Sequence, residues 1–246
     1  MEAFQPEVSA SHHNYLALSN GHLDQVEAID MGANERALLR ALYSTQVVPK
    51  RGASRKLYDA TRTLSSHCPY CLFGEVYEVD HFLPSSPFPE FSVFPSNLVP
   101  ICHACNHKKR AKVPADAAHY FLHPYFDALP PVRWLSAAIE YEANGPILRF
   151  GVALDAVTHG NLASRLSYHF DELDLDARFS ARGAVILAEL EDIIETHSGH
   201  WSIQDMSDYF KSEADRLYAV HGNSLEAAAY LAASNDDQFC AGNYRN

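Results

Sequence analysis

No apolar run in the chain is long enough to cross a bilayer as a helix, and the opening "MEAFQPEVSASHHNYLALSN" has neither a basic start nor a sustained apolar stretch. The expectation is a soluble, unexported protein, cytoplasmic and without a membrane partner. Internal repeats and low-complexity tracts are also missing, which argues against a solenoid or a long flexible linker. Positive charge is scarce: 19 Lys and Arg face 31 Asp and Glu, for a formal net charge of -12. Such a chain does not coat nucleic acid by bulk charge, although a local basic patch can still dock a phosphate backbone. What remains is ordinary, since 246 residues with 47% hydrophobic content suffice for one large domain or two small ones.

The scarce groups are not scattered. Residues 67–112, "HCPYCLFGEVYEVDHFLPSSPFPEFSVFPSNLVPICHACNHKKRAK", hold four of the five cysteines and four of the 14 histidines. Positive charge gathers there too, with nine Lys or Arg against five Asp or Glu over residues 49–112, and ten against 26 elsewhere. Cysteines of short secreted chains form disulfides, but two C-x-x-C pairs in a chain without an export signal read as metal ligands. Zinc takes four thiolates tetrahedrally, and the two-residue spacer lets both sulfurs of a pair reach one ion. Cys68, Cys71, Cys102 and Cys105 are therefore expected to hold a structural Zn2+, with no position left open for chemistry. Cys240, alone near the C-terminus, reads as a free thiol.

Periodicity supplies the coarse organisation. "ERALLRAL" and "SRKLYDATRTL" have helical spacing, with Ser54 placed to cap the second, and "VVPKRGAS" breaks the chain between them. "GEVYEVDHF" alternates as a short strand, and the four prolines of "LPSSPFPEFSVFPSN" predict an ordered loop. "NLVPICHACNHKKRAK" combines a strand-like run with a helix starting between Cys102 and Asn106. Downstream, "RWLSAAIEYE" and "ILRFGVAL" flank the turn "ANGP" as a hairpin, although the first could be helical. From about Asn161 the chain becomes helical and acidic. This predicts an N-terminal, partly helical segment at 1–50, a metal-rich module at 51–114, and a mixed, mainly helical C-terminal domain at 115–246.

Inside the two cysteine pairs lie "VDHFLP", "SNLVP" and "CHACNHKK", in the order found in HNH endonucleases. The stretch resembles that family over residues 67–112. The resemblance implies an α+β protein: a zinc-stapled ββα-metal nuclease module followed by a mostly helical domain. It implies that Asp80 ligates a catalytic divalent cation, that His81 is the general base activating water, and that Asn97 orders the His81 loop through backbone contacts. Asn106 stands where many members have His, and an amide oxygen suits Mg2+ or Mn2+. His103 and His107 are adjacent and could supply a ligand instead. Lys108, Lys109, Arg110 and Lys112 are placed to meet flanking phosphates.

The implied activity is cleavage of DNA phosphodiester bonds, in the setting of bacterial antiphage defence with a protein partner such as the ATPase of Septu-type systems. The weak basic footprint of the chain agrees with a partner that delivers substrate. A second reading, from a different class, is a zinc-dependent nucleic-acid-binding or protein-interaction module in which the Asp-His pair is incidental. RNA as substrate is a third, with no recognisable RNA-binding motif to favour it. "HPYFD" makes His123 either an accessory site residue or part of a segment that packs against the module, and packing is the preferred reading.

Overall fold

The computed structural model describes residues 5–244, and these divide into two compact units. The protein is α+β, with two small antiparallel sheets and a mostly helical C-terminal part. Of the described residues, the first unit comprises 5–129 and 164–173, the second 130–163 and 174–244. That division runs elsewhere than the change of composition near residue 114, because helix α6 (Asn161–Glu172) contributes most of its length to the first unit.

The first unit opens with α1 (Gln5–Leu18) and α2 (Ala33–Leu42), and α2 runs into one π-helical turn, Tyr43–Val47. After the break at residues 48–54 comes α3 (Arg55–Arg62). Ser54 stands at the cap position of α3, but its side chain accepts no backbone hydrogen bond, so the capping expected of it does not occur. β1 (Glu78–His81) and β2 (Leu98–Ile101) pair antiparallel, with His81 opposite Leu98 and Asp80 opposite Val99. β1 alternates between half-buried and buried positions, whereas β2 is buried throughout, as its run "LVPI" dictates. The loop between them is ordered by two 3-10 turns, Pro89–Phe91 and Pro95–Asn97, each opening on a proline. α4 (His103–Lys109) follows directly, capped by the Cys102 sulfur accepting from the Cys105 amide.

The second unit begins with the hairpin of β3 (Leu135–Glu142) and β4 (Gly145–Val152), so "RWLSAAIEYE" is strand rather than helix. After a short α5 (Ala156–His159), the unit resumes with α7 (Leu175–His197), α8 (Ile203–His221), α9 (Leu225–Ser234) and α10 (Asp237–Cys240). Gly183 lets α7 lie close on β4, since a Cβ there would come within 3.1 Å of the Phe150 ring. Ser202 and Asp205 form a reciprocal capping box at the start of α8. Alanines dominate the buried positions of α9, which permits close contact with α8 and β3. Cys240 is a buried free thiol bonded to the Ala233 carbonyl.

Candidate functional site

The four cysteines of the two C-x-x-C pairs converge. Their sulfurs all lie within 4.8 Å of one another, and every one of the four residues is buried. A tetrahedron with metal–sulfur bonds of about 2.3 Å has edges of about 3.8 Å, and the Cys71 and Cys102 sulfurs are 3.8 Å apart. That separation is far beyond a disulfide bond and fits four thiolates around one ion. The surrounding backbone is shaped for the cluster. Leu72 takes a left-handed conformation at φ 65°, which curls the first knuckle so that Gly74 N–H points at the Cys71 sulfur. A Cβ on Gly74 would fall 2.9 Å from the Cys102 sulfur, so only glycine lets the knuckles close. The cluster could hold a structural metal such as zinc.

Beside it, strand β1 and helix α4 present facing polar stripes. Glu78 and Asp80 share one face of β1, while His103, Asn106 and Lys109 recur every three residues along α4. His103 Nδ1 lies 2.9 Å from Glu78 Oε1, and the Asn106 amide nitrogen donates to Glu78 Oε2. These bonds, that from His103 foremost, hold the Glu78 carboxyl below its ordinary pKa. Lys109 donates to Asp80 Oδ2 at 2.8 Å and to the His81 carbonyl at 2.7 Å. Its side chain is 1% exposed, so Lys109 is an internal cation and not one of the phosphate contacts that the basic run suggests. The bond to Glu78 fixes the Asn106 amide so that its oxygen points away from that carboxylate.

His81 turns to the other side of the strand. Its Nε2 lies 2.8 Å from the Ser92 carbonyl, which can only accept, so Nε2 carries the hydrogen and Nδ1 is the basic nitrogen. The ring is 8% exposed and meets the Tyr43 ring edge-on at 4.4 Å. Burial lowers the His81 pKa, against a smaller opposing effect of the Ser92 bond. Tyr43 in turn donates to the Val79 carbonyl.

Asn97 uses its whole amide on the loop that carries His81. Its oxygen accepts from Leu83 N at 2.7 Å, and its nitrogen donates to the carbonyls of Leu83 and Phe91 at 3.0 and 3.3 Å. The remaining lone pair takes the Tyr15 hydroxyl at 3.2 Å, and Tyr15 also meets His123 Nε2 at 3.0 Å. His123 Nδ1 accepts from the Tyr125 amide, so Nε2 bears the ring hydrogen and donates to Tyr15. Burial pushes the His123 pKa down to about 3. His123 thus sits behind the loop, joined to Asn97 through Tyr15, and is itself no part of the Glu78–Asp80 cluster. A second buried histidine, His169, bonds the carbonyl of Tyr70, the residue inside the first cysteine pair.

Of the remaining basic residues, Lys112 pairs with Glu172, while Lys108, Arg110 and His107 lie at the solvent-exposed end of α4. Among the described residues no other trio of His, Cys, Asp or Glu ligand atoms gathers as the four cysteines do. Reading the sequence passed over Glu78, Tyr43 and Tyr15. Glu78 carried a signal, being two residues before Asp80 and so on the same strand face. Tyr15 and Tyr43 carried none, since their partners are distant in the chain.

No family profile matches the chain, and no solved structure does. Among curated proteins it is similar to Protein ea31 of Escherichia phage lambda, with 33% identity over 227 residues, covering 86% of this chain and 76% of that protein. The four-cysteine cluster and the polar β1–α4 face beside it are thus features of a member of the Protein ea31 family, to which the chain belongs.

Proposed function

We propose that the protein is an HNH-type, metal-dependent endonuclease that hydrolyses DNA phosphodiester bonds. The observation that carries this reading is the state of His81: Nε2 bound to a carbonyl, Nδ1 left basic, and burial keeping the ring neutral beside Asp80. A neutral imidazole held in one tautomer is what a general base for water requires. Asp80 and Asn106 would hold a divalent cation, Mg2+ or Mn2+. Such ions keep several waters and take few protein ligands, so one carboxylate and one amide oxygen suffice beside a substrate phosphate. When bound, the cation supplies charge neutralisation at the scissile phosphate and the leaving oxygen. Glu78 orients Asn106, and Asn97 holds the loop that positions His81. The setting of antiphage defence with an ATPase partner belongs to the same proposal and is tested by co-purification.

The decisive experiment is cleavage of plasmid DNA in Mg2+ or Mn2+ by wild type and His81→Ala. Loss of a general base should slow turnover by about 100- to 10,000-fold, with zinc content and melting temperature unchanged. Asp80→Ala should recover part of its lost activity at high Mg2+. Equal rates for wild type and His81→Ala would overturn the mechanism. One observation favours the second reading, a zinc-stapled binding module without catalysis: Tyr43 stands over the His81 ring and leaves it 8% exposed. That reading predicts DNA binding by both proteins and cleavage by neither.

A further inference from the structure

Part of the basic run after Cys105 is occupied within the protein, with Lys109 buried on Asp80 and Lys112 paired with Glu172. A longer positive stretch lies earlier. Residues 50–62 contain Lys50, Arg51, Arg55, Lys56 and Arg62 with Asp59 as the lone acid, in a chain of net charge -12. Arg55 serves the local structure: it bonds Asp59 and the Val48 carbonyl, and its guanidinium lies 4.5 Å from the centre of the Tyr58 ring. The other four cations are exposed and form no salt bridge among the described residues. The second unit differs, for Arg133, Arg149, Lys211 and Arg216 are each paired with a carboxylate. Where carboxylates are in excess, four cations left unpaired keep a local positive potential suited to a polyanion.

The patch is also held in shape. Gly52 N–H donates to the Pro49 carbonyl at 2.9 Å, and Ser54 N–H to the Gln46 carbonyl at 3.0 Å. A Cβ on Gly52 would fall 2.2 Å from the Gln46 oxygen, so Lys50 and Arg51 ride on a turn that only glycine can close. On α3, Thr61 is buried and Leu57 and Tyr58 are half-buried, which turns Lys56 and Arg62 outward. α3 lies against β1 and β2. Tyr43, whose ring meets His81, has its pKa raised chiefly by burial and also by Tyr58 and Asp80, so α3 and the Asp80 carboxylate border the same tyrosine.

We propose that Lys50, Arg51, Lys56 and Arg62 form the principal phosphate-docking surface for duplex DNA, on the flank of His81. The choice of DNA rests on the nuclease reading, while the docking surface is measured without cleavage. The probe is a short fluorescent DNA duplex, titrated with the zinc-loaded full chain at several NaCl concentrations and without added Mg2+. Each phosphate contact contributes about 0.9 to the slope of log affinity against log salt. The variant with Lys50, Arg51, Lys56 and Arg62 all changed to Gln should therefore flatten that slope by about 3 to 4, whereas Lys108→Gln with Arg110→Gln should change it by less than half as much. All four residues are exposed, so zinc content and melting temperature should stay at wild-type values. A wild-type slope in the α3 variant, or no measurable binding by wild type at about 50 mM salt, overturns the proposal. His81→Ala should bind as wild type does. Binding through α3 without any cleavage would remove the nuclease reading and leave the surface standing, and cleavage indifferent to the α3 changes would do the reverse.

Discussion

The first unit buries His81, Glu90, Asn97, Lys109, His123, Arg165 and His169, whereas Ser234 is the one buried polar side chain of the second among the described residues. The second unit has an apolar interior of Leu148, Phe150, Leu190, Phe210 and Phe239, sealed by the alanines of α9. An unpartnered buried polar group costs on the order of 1–3 kcal/mol, so the first unit must match its groups with care. Specific pairs match several of them, Lys109 with Asp80, Asn97 with the Leu83 backbone, His123 with Tyr15, and Arg165 with Asp127 at 2.8 Å, while Glu90 Oε2, Ser92 Oγ and Arg165 Nε are buried without a hydrogen-bond partner. Apolar cores tolerate repacking, while such networks fix single positions. The contrast places the specific polar networks in the first unit and an apolar interior in the second.

Metal removal should separate the two most. Binding energy for structural zinc is folding energy, on the order of 10 kcal/mol in small domains. Cys102→Ser, or chelation of the full chain, should therefore expose the first unit to limited proteolysis while residues 175–244 stay protected. Protection of both units in metal-free protein would erase the distinction. Next in size is Asn97→Ala, which leaves the Leu83 amide buried without its acceptor and the Leu83 and Phe91 carbonyls without their donor, and should cost about 2–4 kcal/mol in urea melts. Ser234→Ala, which removes one bond to the Leu231 carbonyl in the second unit, should cost about 1 kcal/mol or less. Equal losses would show that the networks of the first unit have no special weight.

Between pH 6.5 and 5.5, about one unit below the free histidine value, acid should act on the first unit before the second, and more gently. Burial pushes His123 down to about 3 and His169 down to about 4. Below about pH 6.5 the unfolded chain takes up protons on both residues while the folded chain does not, so the unfolded state binds more protons. Stability is then complete above that pH and falls as pH drops towards 4, by up to about 1.4 kcal/mol per pH unit for each histidine. The histidines of the second unit, His159, His197, His200 and His221, are not buried. Melts at pH 6.5 and pH 5.5, as about one unit of separation, should move the first unit and leave the second in place.

The parts legible in the sequence were those written in local spacing. Two C-x-x-C pairs announced the cysteine cluster, alternation announced β1, and "ANGP" marked the hairpin of the second unit. Lys109 was not legible, because a run of cations reads as a solvated face until an opposing carboxylate is placed one strand away at Asp80. Tyr15 could not be linked to Asn97, 82 residues downstream, or to His123, because no period connects them. The division of the chain was hidden by a continuous helical pattern after Asn161, which is broken where α6 ends at Glu172 and Asp174 turns left-handed at φ 54°.

The two-part make-up of the first unit has a consequence for the order of events on the ribosome. The cysteine pairs, β1, β2 and α4 are all synthesised before residue 130, yet Tyr70 and Asp127 wait for His169 and Arg165, which emerge only after the hairpin of the other unit. Until then Asp127 lacks its cation and the first cysteine knuckle lacks its brace. A nascent chain paused before residue 164 should therefore bind metal in a loosened and protease-sensitive form, and a fragment cut at residue 129 should inherit the same defect.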